Sequence, residues 1–67
     1  MNIPEAIEEL LKVCWNKNMN FDYNTDETAK NTVTYDVEEP CVNIIYNGQD
    51  DDEFLSQIID LTQQIAL

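Results

Sequence analysis

The residues of this chain that could perform chemistry are mostly carboxylates, and the spacing Asp22-Tyr-Asn24-Thr-Asp26 is the most suggestive. It matches the first three ligand positions of an EF-hand calcium loop. Such a loop needs Gly at its sixth position and Glu at its twelfth, where this chain has Glu27 and Val33. The match also begins inside a predicted strand rather than after a helix. We therefore expect a solvated strand and loop here, and no metal site.

Catalysis by the other carboxylates is not expected either. General acid–base work by a carboxylate pair needs a cleft that separates the two pKa values, and 67 residues leave little room for a pocket. The chain has no His, and its three lysines lie among polar residues, so no nucleophile and base can be paired. Ser56 follows Leu55 and precedes Gln57, unlike the Asp-Ser-Leu motif of acyl carrier proteins. We predict that the protein is not an enzyme and carries no cofactor.

The charge balance limits the class of partner. Fourteen acidic residues, three lysines and no arginine give a net charge of −11 at pH 7. Such a chain cannot neutralise a phosphate backbone, so we expect no direct contact with nucleic acid. A net charge of about 2–8 in magnitude is enough for solubility, and a larger excess costs stability through self-repulsion. The excess therefore predicts a partner with a basic protein surface.

The cellular compartment is inferred from the ends and the cysteines. The acidic start lacks the features of a signal peptide, and no apolar run approaches the roughly 18 residues of a membrane span. Cys14 and Cys41 lie 27 positions apart without a further ligand cluster. Since disulfide scaffolds of this size usually carry four or more cysteines, we expect two free, buried thiols in the cytoplasm, and no membrane contact.

Hydrophobic periodicity predicts a helix at about residues 4–17, with Pro4 in its first turn and a Glu8–Lys12 pair on its polar face. We expect Trp15 to be half-buried near the end of this helix; the alternative is an exposed anchor for a partner. The apolar residues at helical spacing are Ile3, Ile7, Leu10, Leu11, Cys14 and Trp15.

Three strands follow, each with apolar residues at every second position. The short connections between them favour antiparallel neighbours. The three tyrosines fall on the inward side of the alternation, where we expect them to pack in the core. The alternating sets are Met19, Phe21 and Tyr23; Val33, Tyr35 and Val37; and Val42, Ile44 and Tyr46.

A second helix is predicted after Asn47-Gly48, with Asp50 as its N-cap and Glu53 completing a capping box. Its apolar stripe is Phe54, Ile58, Leu61 and Ile65. The sequence thus predicts one α+β domain over residues 1–67, in the order α-β-β-β-α. We expect a three-stranded antiparallel sheet with both helices on one face.

Two groups of carboxylates are candidates for binding a partner. The first, the sheet-face pair, is Asp22 and Asp36, on the side of the sheet away from the predicted core. The second, the strand-end group, is denser and exceeds what one helix cap requires. Its members are Glu38, Glu39, Asp50, Asp51, Asp52 and Glu53.

The opening Met-Asn-Ile helix, the three strands taken as antiparallel and the acidic entry to the last helix resemble the small acidic phage-encoded anti-CRISPR proteins of the type II-A kind. Members of that class imitate DNA and occupy the basic cleft where the effector nuclease reads its target-adjacent motif. The resemblance implies an inhibitor that acts in the host cytoplasm.

The element order is also that of double-stranded-RNA-binding domains. Those domains place a Lys-rich patch at the start of the second helix. Here that position holds residues 50–53, all acidic. A shared fold would therefore not bring RNA binding by the usual surface.

Two functions remain open at this point. The first is an inhibitor that binds the basic, nucleic-acid-binding surface of a host defence or DNA-processing enzyme. The second is a bacterial interaction or regulatory module, such as an immunity or antitoxin-like protein.

The charge balance gives a direct prediction. Because the chain has net charge −11 and no arginine, the isolated protein should not shift DNA or RNA in a gel at physiological salt. Salt-sensitive binding to a duplex at micromolar protein would contradict this electrostatic argument.

Overall fold

A computed structural model of the chain describes residues 1–36 and 38–67, so the predicted strand position Val37 lies outside the described residues. The α+β class is confirmed, and the five elements follow in the predicted order. They are α1 (Ile3–Asn16), β1 (Asn20–Thr25), β2 (Val33–Asp36), β3 (Cys41–Tyr46) and α2 (Asp51–Ala66).

Helix α1 begins with a reciprocal cap. The Asn2 side chain accepts a hydrogen bond from the Glu5 amide at 2.9 Å, and the Glu5 carboxylate accepts one from the Asn2 amide at 3.2 Å. Two amide groups that the first turn would leave without a partner are thereby satisfied. Pro4 lies in this turn, where its missing N–H costs nothing.

The end of α1 is fixed by Asn18, whose φ of 55° is left-handed. The Asn18 amide donates to the Trp15 carbonyl at 3.2 Å, and the Met19 amide donates to the Cys14 carbonyl at 2.9 Å. This pair of bonds is a Schellman motif, in which the left-handed residue is usually Gly and sometimes Asn. It turns the chain sharply from α1 into β1.

The sheet is mixed, so the prediction of a purely antiparallel sheet is wrong. Its strand order is β1-β3-β2. β1 runs parallel to β3, from Asn20 opposite Cys41 to Thr25 opposite Tyr46, and only β2 is antiparallel to β3. The prediction assumed that consecutive strands pair. Instead, the connection over residues 26–32 carries β2 past the position beside β1, and β3 enters between them.

One hydrophobic cluster contains residues from both helices and from the central strand β3. Val42 and Ile44 are fully buried, and no buried residue in the described ranges is polar or charged. The nine buried core residues are Ala6, Leu10, Cys14, Val42, Ile44, Phe54, Ile58, Leu61 and Ile65.

Tyr35 and Tyr46 pack against this core as predicted, but Tyr23, on the edge strand β1, is 41% exposed, so the prediction is wrong for Tyr23. The rings of Tyr23 and Tyr46 contact the ring of Phe54 at centroid distances of 6.2 and 5.4 Å, and Tyr35 packs against the same cluster. The first of these contacts is edge-to-face, a favoured aromatic geometry. Phe54 therefore ties the start of α2 to two strands of the sheet.

The start of α2 differs from the prediction in one detail. Asp50 does occupy the N-cap position, and its carbonyl accepts from the Phe54 amide at 2.9 Å. Its side chain makes no capping hydrogen bond, so the predicted capping box with Glu53 is wrong. Neither α1 nor α2 is long and apolar enough to cross a membrane.

The left-handed residue gives a stability prediction. Replacing Asn18 by Ala should destabilise the fold by about 1 kcal/mol, because the short polar side chain of Asn makes the left-handed conformation tolerable and Ala lacks it. Asn18→Gly should cost much less, since Gly adopts this conformation freely. Urea unfolding monitored by circular dichroism measures the difference.

The matched control is Asn16→Ala, a change of the same side chain within α1. If Asn16→Ala destabilises the protein as much as Asn18→Ala, the loss does not come from the left-handed turn.

Candidate functional site

All of the carboxylate side chains are exposed to solvent. Within the described ranges, one ion pair forms, between Lys12 and Glu9 at 3.5 Å. The sequence analysis predicted a pair between Lys12 and Glu8, the residue before Glu9, so that prediction is wrong. Because both side chains of the observed pair are more than half exposed, it contributes little to stability. Nearly the whole negative charge is thus available to a partner.

The sheet-face pair does share one face of the sheet. Asp22 is opposite Asn43 across one ladder and Asp36 is opposite Cys41 across the other, so β3 separates them. Two strand spacings of about 4.8 Å, with an offset of two residues or about 6.8 Å along β3, put the Cα atoms of the pair roughly 12 Å apart. Asp36 also accepts hydrogen bonds from the amides of Glu38 and Glu39 at 3.0 and 3.4 Å. It has a structural role in closing the β2–β3 turn.

The strand-end group is not one surface. Glu38 and Glu39 lie in the turn that precedes Cys41, whereas residues 50–53 follow the other end of β3 at Tyr46. A six-residue strand spans about 17 Å between its first and last residues. The structure therefore separates Glu38 and Glu39 from the other four members of the group.

Two acidic residues that the sequence analysis did not select, Asp26 and Glu27, lie at the same end of the sheet as residues 50–53. The Asp26 amide donates to the Tyr46 carbonyl at 3.0 Å, and the Asn47 side chain donates to the Ala29 carbonyl at 3.0 Å. We call the resulting set the α2-end acidic cluster. It consists of Asp26, Glu27, Asp50, Asp51, Asp52 and Glu53.

No sequence pattern connects the two segments of the α2-end acidic cluster. Their proximity follows from the parallel pairing of β1 with β3, which places the carboxyl ends of both strands together. An antiparallel β1–β3 pair would have put residues 26 and 27 near the opposite end of β3. The predicted order β1-β2-β3 with antiparallel neighbours also runs β1 and β3 in the same direction, but it leaves β2 between their carboxyl ends. Knowledge of the strand order was therefore needed to place residues 26 and 27 beside the end of β3.

Asp26 is held in its charged form. Thr28 donates to its Oδ1 atom from the hydroxyl at 2.7 Å and from the amide at 3.0 Å. These two bonds lower the pKa of the Asp26 carboxyl, the hydroxyl bond having the larger effect. A lowered pKa means that this carboxylate favours the folded state at neutral pH, and that contribution is lost progressively as the pH falls from the ordinary pKa of Asp through the lowered one.

Trp15 is 83% exposed, so the prediction of a half-buried Trp15 is wrong. Its neighbour one turn earlier, Leu11, is 43% exposed. Successive residues of a helix are about 100° apart, which places Leu10 and Cys14 at the core and leaves Leu11 and Trp15 on an adjacent side. We call this exposed side, formed by Leu11 and Trp15, the α1 flank.

The remaining candidates for chemistry are not arranged into a site. Asp22 and Asn24 hydrogen-bond to each other along β1, at 2.9 Å. In the described part of the chain, no group of three or more acidic, cysteine or histidine side chains could hold a metal ion. Both cysteines are free, as expected, but Cys41 is only half-buried. Burial, reinforced by the nearby Cys41 thiol, raises the pKa of Cys14 and leaves it a poor nucleophile.

Comparison of the chain with protein-family models, curated proteins and solved structures found no match.

The unneutralised charge predicts that salt stabilises the fold. Raising NaCl from about 20 mM to about 500 mM shortens the Debye length and screens repulsion among the carboxylates. The melting temperature should therefore rise; a gain of about 1 kcal/mol corresponds to roughly 4–8 °C for a domain of this size. Differential scanning fluorimetry across the salt series measures the change.

The double variant Asp51→Asn/Asp52→Asn carries two fewer charges and should respond less to the same salt series. A melting temperature that falls with salt would mean that attractive ion pairs outweigh repulsion.

Proposed function

We propose that the protein is an inhibitor that presents an acidic surface to the basic, nucleic-acid-binding surface of a defence or DNA-processing enzyme. The observation that carries the proposal is the exposure of every carboxylate together with the single Lys12–Glu9 ion pair in the described ranges. An unneutralised charge of −11 costs folding stability, and a function that requires that charge explains why the cost is tolerated.

We further infer that α1 and α2 cover the same face of the sheet and leave the other face open. Support comes from the single hydrophobic cluster that joins both helices to Val42 and Ile44 of β3. The residues that alternate with these two on β3 are only half-buried, and the polar residues beside them on β1 and β2 are exposed. The open face includes the sheet-face pair, Asp22 and Asp36.

The α2-end acidic cluster is the better candidate for the first contact with a basic surface. It gathers six carboxylates from two segments at one end of the molecule, whereas Asp36 is engaged in a turn. The start of α2 adds no cation, because its first turn contains only Asp51, Asp52 and Glu53 as charged residues. A dense patch of one sign attracts a basic partner and accelerates its association.

The resemblance to anti-CRISPR proteins is a proposal of the same kind. It rests on the element order and the acidic entry to α2. The three strands were also taken as antiparallel, whereas the described sheet is mixed. In this reading the protein is phage-encoded and acts in the host cytoplasm as a DNA mimic. It needs neither a cofactor nor a catalytic residue.

A second function is an interaction module without any connection to nucleic acid, such as an immunity or antitoxin-like protein. The exposed Trp15 favours it, because aromatic side chains are common anchors of protein interfaces. A pull-down from host lysate separates the two functions. Nucleases, CRISPR effectors or repair enzymes support the inhibitor, and a single cognate toxin supports the module.

The acidic-mimic proposal predicts the effect of removing two charges from the α2-end acidic cluster. Asp51→Asn/Asp52→Asn should slow association with the captured enzyme by roughly threefold to tenfold and flatten its salt dependence. The fold should remain intact, since neither side chain is buried. Surface plasmon resonance at low and physiological salt measures both effects.

The matched control is Glu38→Gln/Glu39→Gln, which removes two exposed charges at the opposite end of β3. Equal slowing by both double variants would indicate a general effect of net charge. If only Asp22→Asn/Asp36→Asn weakens binding, the contact surface is the open sheet face. If none of the three matters, the acidic-mimic proposal is wrong.

A further inference from the structure

The outer side of β1 is an open sheet edge. In the described part of the chain, β1 has β3 as its single neighbour in the sheet. The amides of Asn20 and Asp26 donate to the carbonyls of Pro40 and Tyr46 across the parallel ladder. Because successive residues of a strand direct their backbone groups to opposite sides, those of Phe21, Tyr23 and Thr25 point outward. An edge of this kind is a template for another strand.

This open edge lacks the usual protection. Proteins commonly discourage strand addition with Lys, Pro, a bulge or a very short edge strand. β1 has six residues, contains neither Lys nor Pro, and pairs with β3 in a continuous register without a bulge; its one charged side chain, Asp22, would repel a second acidic chain but attract a basic segment. The other edge strand, β2, has only four residues.

The α1 flank lies beside the open edge. Helix α1 packs against β1 and against α2, and Glu9 and Ala6 lie on its α2 side with Ile59. Leu11 follows Glu9 by two residues, or about 200° of helical rotation, so it faces away from α2. Trp15 borders a depression with Asn18, Met19 and Asn20 at the start of β1. An exposed apolar strip therefore adjoins unfilled backbone hydrogen-bonding positions.

We propose that β1 and the α1 flank together bind an extended segment of the partner as a fourth strand of the sheet. One side of the added strand would face Leu11, Trp15 and the 41% exposed ring of Tyr23, and therefore needs apolar residues. Its other side would continue the polar face next to Asp22, where a basic residue forms a favourable cross-strand pair. The segment alternates apolar and basic residues.

Charge selects this occupant over a second copy of the chain. Two copies would bring −11 against −11 and place the Asp22 carboxylates on the same face of a joined sheet. A basic segment is instead attracted by the negative charge of the chain. The inference rests on the proposed function only for the basic character of the partner, since the edge and the flank are separate from the α2-end acidic cluster.

The test uses two synthetic, fluorescein-labelled eight-residue peptides with blocked ends. One alternates Val and Lys, and the other has the same composition in two blocks of four. Simple charge attraction treats them alike, whereas strand addition requires the alternation. In fluorescence polarisation the alternating peptide should bind about tenfold more tightly than the block peptide. Equal binding of the two peptides overturns the proposal.

Two variants locate the site. Thr25→Pro removes an outward amide without touching the ladder to β3, and should weaken the alternating peptide about fivefold, as expected for one hydrogen bond. Trp15→Ala should weaken it about tenfold. The matched controls are Thr25→Ala, which keeps the amide, and Leu67→Ala, which removes a different exposed apolar side chain. Both controls should bind like wild type, and equal loss in them overturns the assignment.

Amide hydrogen exchange in the wild-type protein tests the proposal without any variant, so its result does not depend on whether a variant folds. The peptide should slow exchange at Phe21, Tyr23 and Thr25, and unchanged exchange there overturns the proposal. A wild-type dimer in analytical ultracentrifugation that Thr25→Pro dissociates would make a second copy the occupant, and also overturns it.

The proposed function and this inference fail separately. Asp51→Asn/Asp52→Asn should leave the preference for the alternating peptide unchanged. If the wild-type protein binds both peptides equally, but binding of a captured enzyme still depends on Asp51 and Asp52, only the strand-addition proposal is wrong. If the wild-type protein prefers the alternating peptide but captures no nucleic-acid-binding enzyme, only the proposed inhibitor function is wrong.

Discussion

The position of β3 between the other two strands is the constraint on which the rest of the structure depends. It supplies every inter-strand hydrogen bond of the described sheet, parallel on one side and antiparallel on the other. Its Val42 and Ile44 are fully buried in the same cluster as residues of both helices. A chain of 67 residues buries only about 60% of the surface that it exposes when unfolded, so a central strand with two fully buried side chains matters greatly. Loss of β3 would leave β1 and β2 without any partner in the sheet.

The core must also outweigh the repulsion of the surface. The described core contains no polar or charged residue, and no buried side-chain polar atom in it lacks a hydrogen bond, so burial is not offset by unsatisfied groups. The charges are all placed outside it, where water and counterions reduce their mutual energy. This separation lets a small domain carry −11 and still fold. It also explains why the acidic residues can be considered as a functional surface rather than as parts of the core.

The sequence predicted what local patterns determine. Helical spacing located α1 to within one residue at each end, and the alternation of Val42, Ile44 and Tyr46 identified the buried face of β3. Strand order is not a local property, because it depends on which strands pair after the chain has collapsed. The error in strand order left β2 between β1 and β3, so Asp26 was not grouped with residues 50–53. Grouping Glu39 with those residues was a separate error, because the two segments lie at opposite ends of β3. The prediction that Trp15 is half-buried was wrong for a different reason. Trp15 lies only about 100° from Cys14 around the helix, and periodicity alone does not determine how wide the buried stripe is.

The insertion of β3 also divides the surface into two chemically different parts. It brings the carboxyl ends of β1 and β3 together and thereby concentrates acidic residues at one end, while it leaves the long edge of β1 beside Trp15 without a neighbour. Charged patches chiefly raise the rate of association, whereas buried aromatic anchors chiefly slow dissociation. In the proposed complex the carboxylates would draw in a basic partner from a distance, and the edge with its apolar flank would hold it. The acidic cluster alone would give fast but weak binding, and the strand edge alone would give slow binding without electrostatic guidance. The position of β3 between β1 and β2 creates both surfaces.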